Sequence, residues 1–244
     1  MRWERLLEQW RGCSWAVFNI SNRNRGGPMV RRSVTLWTAI WLAAYSLHTF
    51  SFASDWTPIA EKLAKSVVFI QSKDGSCTGF VIHTAWGDRK DKDLVMTAAH
   101  CYGQELYVDQ EPARVVAKDD KKDLMVLEIE DTGRPALKLA KNDPVQGQEL
   151  ASFGFGGGLE RPMFRHAMVS DASTYIPEDG IGGPLILIDA AYVPGQSGGP
   201  CINALGEVVS IVQRANSILG VGVGAETIKS KMGRYFEKPD PVKP

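Results

Sequence analysis

Histidine and cysteine are both scarce in this 244-residue chain, with four of each. The cysteines form no C-x-x-C pair and the histidines no His-x-x-x-His spacing, so nothing in the sequence points to a zinc site. An excess of charge of one sign is also missing. Twenty-eight Lys/Arg balance 28 Asp/Glu, and no basic stripe with interleaved aromatics appears, which argues against nucleic acid as a partner. The most prominent apolar run, Ser33 to Leu47, is shorter than the roughly 20 residues that a membrane-spanning helix needs. Strands and helices do not alternate as in βαβ units, which excludes a parallel α/β sheet.

What is present is an ordinary globular composition, 44% hydrophobic and 23% charged. A chain of this length buries roughly 70% of its surface and can fold as one large domain or two small ones without metal support. Charge is uneven along it. Residues 1–53 hold seven Lys/Arg against two Asp/Glu, and the remainder carries 21 against 26. From Met29 the order is that of a signal peptide. Arg31 and Arg32 give a positive start, Ser33 to Leu47 the apolar region, and Ser51-Phe-Ala53 a small-x-small site, with cleavage expected after Ala53. A membrane anchor through residues 33–52 is the alternative. Residues 1–28 read as sequence upstream of the true start. The expected location is therefore secreted or periplasmic, where Cys77 and Cys101 become candidates for a disulfide and Cys201 is left as a small buried residue.

From Trp56 a short helix is expected at Ile59–Lys65, followed by short β-type runs between turn signals. They are Val67–Gln71, Thr78–His83, Leu94–Thr97, Glu105–Val108, Ala113–Ala117, Leu124–Ile129, Glu149–Phe153, His166–Ser170, Leu185–Ile188, Val208–Val212 and Gly220–Val223, with the polar loop Thr84–Asp93 inside a hairpin. A second helix is expected at Glu226–Phe236 and a loose proline-rich tail over 237–244. The pattern predicts an all-β sandwich or barrel.

The chemistry concentrates at Tyr192-Val-Pro-Gly-Gln-Ser-Gly-Gly-Pro200. A lone serine between glycines has no packing purpose, although a glycine-rich hairpin with a solvated serine would look alike. As a nucleophile, Ser197 needs a base for its proton and donors for the oxyanion that its attack creates. Beyond the targeting segment the candidate bases are His83, His100 and His166. His100 closes Met96-Thr-Ala-Ala-His-Cys101, directly after an apolar strand. Carboxylates to orient it stand at Asp119, Asp120 and Asp123. Asp119 to Lys122 reads as a solvated turn, whereas Asp123 directly precedes the apolar strand Leu124-Met-Val-Leu127.

These motifs resemble the chymotrypsin-fold serine proteases. Thr97-Ala-Ala-His-Cys101 is similar to their histidine motif, and Cys77-Thr-Gly79 resembles the segment that carries the partner of that cysteine. Asp123-Leu-Met-Val-Leu127, Asp189-Ala-Ala-Tyr-Val-Pro-Gly-Gln-Ser-Gly-Gly199 and Gly206-Glu-Val-Val-Ser-Ile211 resemble the HtrA-type branch of that fold. The likeness runs from about Ser66 to Met232, and the order His, Asp, Ser is that of the chymotrypsin arrangement. What it implies is two packed antiparallel six-stranded β-barrels with a short C-terminal helix, forming a protease domain over 54–236. It further implies a triad of His100, Asp123 and Ser197, an oxyanion hole from the Gly195 and Ser197 N–H groups, and a Cys77–Cys101 disulfide. A substrate pocket is expected from Ala191, Ser210, Ile211 and Val212. No metal or cofactor is expected, and the implied partners are protein or peptide substrates. Family members often form trimers, though Trp56 to Lys65 carries no firm sign of one.

Three departures shape the expectation. Gln196 stands where trypsin has an aspartate, so activation by an ion pair to a new N-terminus is not expected. Ala191, six residues before the serine, leaves an uncharged pocket suited to small or medium apolar residues. After Met232 only twelve residues remain, so no PDZ domain is expected to follow. The competing readings are a two-barrel binding protein without turnover and a serine esterase.

Overall fold

Short β-branched runs separated by Gly, Asp and Pro turns fold as strands throughout the described residues. A computed structural model describes residues 55–84, 92–176, 181–215 and 218–236. The expected leader (Met29, the apolar run and the Ala53 site), the upstream residues and the 237–244 tail lie outside the described residues, as does most of the 84–93 loop. No helix among the described residues is long and apolar enough to cross a membrane.

The described residues open with α1 (Thr57–Ala64), whose first turn holds Pro58. Seven strands follow: β1 (Val67–Ser72), β2 (Gly75–Thr84), β3 (Lys92–Thr97), β4 (Tyr107–Val108), β5 (Glu111–Pro112), β6 (Arg114–Asp119) and β7 (Leu124–Glu130). The second half contributes β8 (Lys138–Leu139), β9 (Glu149–Gly154), β10 (Met163–Thr174), β11 (Leu185–Ile188), β12 (Pro200–Ile202), β13 (Glu207–Ala215) and β14 (Gly220–Gly224). It ends in α2 (Ala225–Met232) and a 3-10 turn at Gly233–Tyr235, which divides the helix expected over 226–236. The two-residue strands β5 and β8 and the short β12 were not foreseen, because runs that brief carry no periodicity.

Two sheets result. The first has the order β5-β4-β1-β2-β3-β7-β6, and the second β12-β9-β10-β11-β14-β13-β8 with a further β12–β13 pairing. That pairing closes β9 to β14 into the expected six-stranded barrel. The first sheet rolls up without a ladder between β5 and β6 among the described residues, and Pro112 lacks the N–H that such an edge would need. Strand β8 joins β13 in parallel, against the antiparallel rule elsewhere.

Alternation along β7 explains how the two barrels share a core. Met125, Leu127 and Ile129 point into the first barrel, whereas Leu124 and Val126 point into a cluster that also takes Phe80 and Met96 from the first sheet and Phe153, Ile202, Ile211 and Val223 from the second. A separate cluster fills the second barrel, with Leu150, Ile186, Ile188, Cys201 and Val209. Strands buried on both faces read as continuous apolar runs, as Leu124-Met-Val-Leu127 does. The inter-barrel cluster fixes one barrel against the other, and the candidate site lies along that junction.

Candidate active site

His100 and Asp123 are brought together by two turns of the first barrel. His100 sits in a 3-10 turn, Ala99–Cys101, immediately after β3. Asp123 ends the β6–β7 turn with φ of +53°, a left-handed conformation that costs a non-glycine residue on the order of 1 kcal/mol. That conformation turns the carboxylate back onto the histidine. Oδ1 accepts the His100 main-chain N–H at 2.8 Å, and Oδ2 lies 2.7 Å from His100 Nδ1. With Nδ1–H donated to the carboxylate, Nε2 becomes the acceptor and can serve as a base. Asp123 is buried, while the His100 side chain is 42% exposed to the cleft. Of the other aspartates, Asp119 accepts the Lys122 N–H at 3.0 Å within the turn and Asp120 pairs with Lys118. His83 is buried on β2, and His166 on β10 lies against Trp56 with ring centroids 5.4 Å apart, so neither histidine competes for the role.

Ser197 stands on the loop between β11 and β12, where it borders two cavities that His100 also borders. Its hydroxyl donates to the Gln213 main-chain oxygen at 3.2 Å, and among the described residues no hydrogen bond joins it to His100. In unliganded enzymes the nucleophile–base contact is often loose and tightens only with substrate bound.

The loop around Ser197 is held against the first barrel. Gly198 has φ of +82°, and a Cβ there would collide with the Thr78 main-chain oxygen and the Thr97 hydroxyl. Thr78 N–H donates to the Ser197 carbonyl at 2.8 Å, its Oγ1 donates to the Gly195 carbonyl at 2.8 Å, and the same Oγ1 accepts the Phe155 N–H at 2.9 Å. Pro194 and Gly195, with φ of +98° at Gly195 and Gln196 N–H donating to the Val193 carbonyl at 3.1 Å, form a type II turn. Among the described residues the Gly195 and Ser197 N–H groups donate to no protein acceptor, as an oxyanion hole requires.

A disulfide joins Cys77 on β2 to Cys101, the neighbour of His100. Because both sulfurs are used in it, the Cys77, His100 and Cys101 cluster offers no thiolates to a metal. Cys201 is wholly buried and free. Burial pushes its thiol up to about 12.

The cleft of 540 Å³ beside Ser197 is lined by Tyr192, Val193, Pro194, Val212, Gln213 and Arg214, with His100 at its edge. The expected pocket set therefore needs correction. Val212 borders the cleft, but Ser210 and Ile211 are fully buried, Ile211 in the inter-barrel cluster, and Ala191 is not among the lining residues. On β13 it is Val212, Gln213 and Arg214 that border the cleft, at and just beyond the end of the regular register with β14. Tyr192 fills the wall where Ala191 was expected. Its ring crosses Gly220, where a Cβ would collide with it, and its hydroxyl reaches Cys201 Sγ at 3.6 Å. A larger cavity of 620 Å³ lies between Leu137, Leu139 and Phe236. It has no serine or cysteine among its described lining residues, so size does not identify the reactive centre.

Reading the sequence for motifs also passed over Thr78 and Gln213. Threonine in a strand looks like an ordinary β-former, and Gln213 lies one residue beyond the expected end of its strand. Gln213 Nε2 donates to the Asp123 main-chain oxygen at 2.8 Å, so this residue bonds both the Ser197 hydroxyl and the backbone of Asp123.

Comparison with known proteins agrees with this fold. Residues 77–211 match the family described as a trypsin-like peptidase domain. The chain is similar to a probable periplasmic serine endoprotease, DegP-like, of Ectopseudomonas mendocina, with 33% identity over 100 residues, covering 41% of this chain and 21% of that protein. The protein of the same name from Halomonas elongata shows 30% identity over 142 residues, covering 55% and 28%. The matches thus span about a quarter of these relatives' length. Among solved structures, the active form of the Rv3671c protease of M. tuberculosis superposes with a TM-score of 0.61 at 24% identity, covering 76% of this chain and 87% of that one. The HtrA-type protease AlgW with a tripeptide gives 0.62 at 17% identity, covering 75% and 64%. Both share the fold described above.

Proposed function

The chain belongs to the trypsin-like peptidase family, and from that premise we propose that it is a serine endopeptidase acting through an acyl-enzyme. The observation that carries the reading is His100, held by a buried Asp123 through one carboxylate oxygen on its ring and the other on its main-chain N–H, and open to the same cleft as Ser197. In this mechanism Ser197 Oγ bonds to the peptide carbonyl carbon as its proton passes to His100 Nε2, while Asp123 stabilises the imidazolium. The oxyanion is received by the Gly195 and Ser197 N–H groups. His100 then gives the proton to the leaving nitrogen as the C–N bond breaks. Water, deprotonated by the same ring, releases the acyl group and restores Ser197.

The cleft favours a small or medium apolar residue before the scissile bond, because Tyr192 occupies one wall and Val193, Pro194 and Val212 add apolar lining, with Gln213 and Arg214 beside them. Substrates are proteins or peptides. The curated relatives are named as periplasmic enzymes, which supports an exported protease released by cleavage after Ala53. An intact mass beginning at Ser54 is expected, and one retaining Met1 or Met29 contradicts that site.

The activity itself is tested by replacing Ser197 with Ala and following casein hydrolysis. Loss of turnover on the order of 10⁶-fold is expected. Casein cleavage at the wild-type rate ends the assignment.

A further inference from the structure

The turn that would form the oxyanion hole is pinned at each carbonyl from Val193 to Gly195, and Gln196 holds one of the three. The Val193 oxygen accepts the Gln196 N–H, the Pro194 oxygen accepts the Gly157 N–H at 3.0 Å, and the Gly195 oxygen accepts Thr78 Oγ1. In a trans peptide the C=O and N–H point in opposite directions. Holding the Pro194 oxygen on Gly157 therefore aims the Gly195 N–H the other way, into the cavity that Gly195 shares with His100 and Ser197.

Gln196 clamps this turn from inside. It is 2% exposed, and its Oε1 accepts both the Val193 N–H at 2.9 Å and Arg165 Nε, from β10, at 3.3 Å. Both polar main-chain groups of Val193 are thus held by one residue, the N–H by the side chain of Gln196 and the C=O by its backbone. Space for the clamp comes from glycines. A Cβ at Gly156 would stand 2.7 Å from Gln196 Cγ and 2.7 Å from Val193 Cγ2, and one at Gly154 would stand 3.2 Å from Gln196 Cα.

Resting on the protease reading above, we propose that Gln196 is the positioning residue of the oxyanion turn. Oriented by Arg165, it keeps the Gly195 N–H aimed at the developing oxyanion before substrate arrives. The clamp does the structural work that trypsin assigns to an ion pair, and it uses neutral hydrogen bonds to the turn itself.

The test measures kcat and KM for the full chain carrying Gln196→Ala or Gln196→Glu, with inhibition by a peptide boronic acid, which forms a tetrahedral adduct on the serine oxygen. Gln196→Ala is expected to lower kcat by about 10- to 100-fold, less than outright loss of an oxyanion donor. KM should hold, and boronate affinity should fall in proportion. Gln196→Glu should restore kcat to near wild type, since a carboxylate oxygen can accept from Val193 and face Arg165. An unchanged kcat in Gln196→Ala, a loss confined to KM, or a Gln196→Glu variant as impaired as Gln196→Ala overturns the proposal. Should Gln196→Ala not fold, Arg165→Gln decides on the same readouts, with reduced kcat supporting the clamp and wild-type kcat overturning it. A wild-type chain that hydrolyses no peptide and ignores fluorophosphonate overturns the protease reading, and this inference with it. An active wild type beside an unimpaired Gln196→Ala overturns this inference alone.

Discussion

Gln213, on the second barrel, donates its side-chain amide to the main-chain oxygen of Asp123, on the first, across 2.8 Å. The acceptor is a carbonyl, so the donor must be Nε2, which fixes the orientation of the amide. This bond holds Asp123 in its left-handed conformation from across the junction, while the Gln213 carbonyl holds the Ser197 hydroxyl. Replacing Gln213 by Ala leaves the Asp123 oxygen without its donor. The expected cost is about 1–3 kcal/mol of stability, with kcat reduced and KM little changed. Denaturant melts and steady-state kinetics check both, and a variant with wild-type kcat would show that the strut does not position the pair.

Gly198 is the point where the nucleophile loop meets the first barrel. A methyl group there would run into the Thr78 oxygen and the Thr97 hydroxyl, and φ of +82° is unfavourable for alanine. Gly198→Ala should therefore shift Ser197 and cut kcat by at least about 100-fold, since small displacements at a reacting centre are costly. Gly206, also at positive φ but with open space around it, is the control: Gly206→Ala should cost only about 1 kcal/mol of stability and leave kcat intact.

Tyr192 lines the cleft beside Ser197. Profiling with a peptide library should show cleavage after small or medium apolar residues in the wild type. In Tyr192→Ala it should show a shift toward Leu, Met and Phe. Gly220→Ala should impair the wild type by pressing on the tyrosine ring and be better tolerated beside Tyr192→Ala. An unchanged profile in Tyr192→Ala would remove this residue from specificity.

Cys201 and Tyr192 make the fold sensitive to alkali. Burial pushes the Cys201 thiol from 9.0 to about 12, and burial followed by the neighbouring Cys201 raises the Tyr192 phenol. Both are neutral when protonated and both values rise on folding, so their stabilising effect is complete below pH 9.0 and is lost as pH climbs toward about 12. Melts across this window should show steeper destabilisation in wild type than in Cys201→Ala, by up to about 1.4 kcal/mol per pH unit. Native protein near pH 8 should leave Cys201 unalkylated, whereas unfolded chain should react, as peptide mapping can show.

Much of this was legible in the sequence for a physical reason. His100 in the turn after β3, Asp123 directly before β7 and Ser197 in the glycine-rich loop before β12 each lie in a short motif of distinctive composition, and the apolar run after Asp123 announces a doubly buried strand. The pocket was not legible. Ser210 and Ile211 on β13 face the interior, and a glycine- and serine-free stretch such as Val212-Gln-Arg214 carries no local mark of bordering a cleft. Thr78 and Gln213 were hidden because their work is to hydrogen-bond main-chain atoms far away in sequence, which no local pattern encodes. The closed second barrel and the open first sheet likewise depend on β5 and β12, strands too short to be read.

The central claim, that Ser197 is a nucleophile activated by His100, is tested most directly by treating the protein with a fluorophosphonate and mapping the modified peptide. The account predicts a single stable adduct on Ser197, lost in Ser197→Ala and greatly slowed in His100→Ala. No adduct in the folded wild type, or an adduct at the same rate without His100, would contradict it.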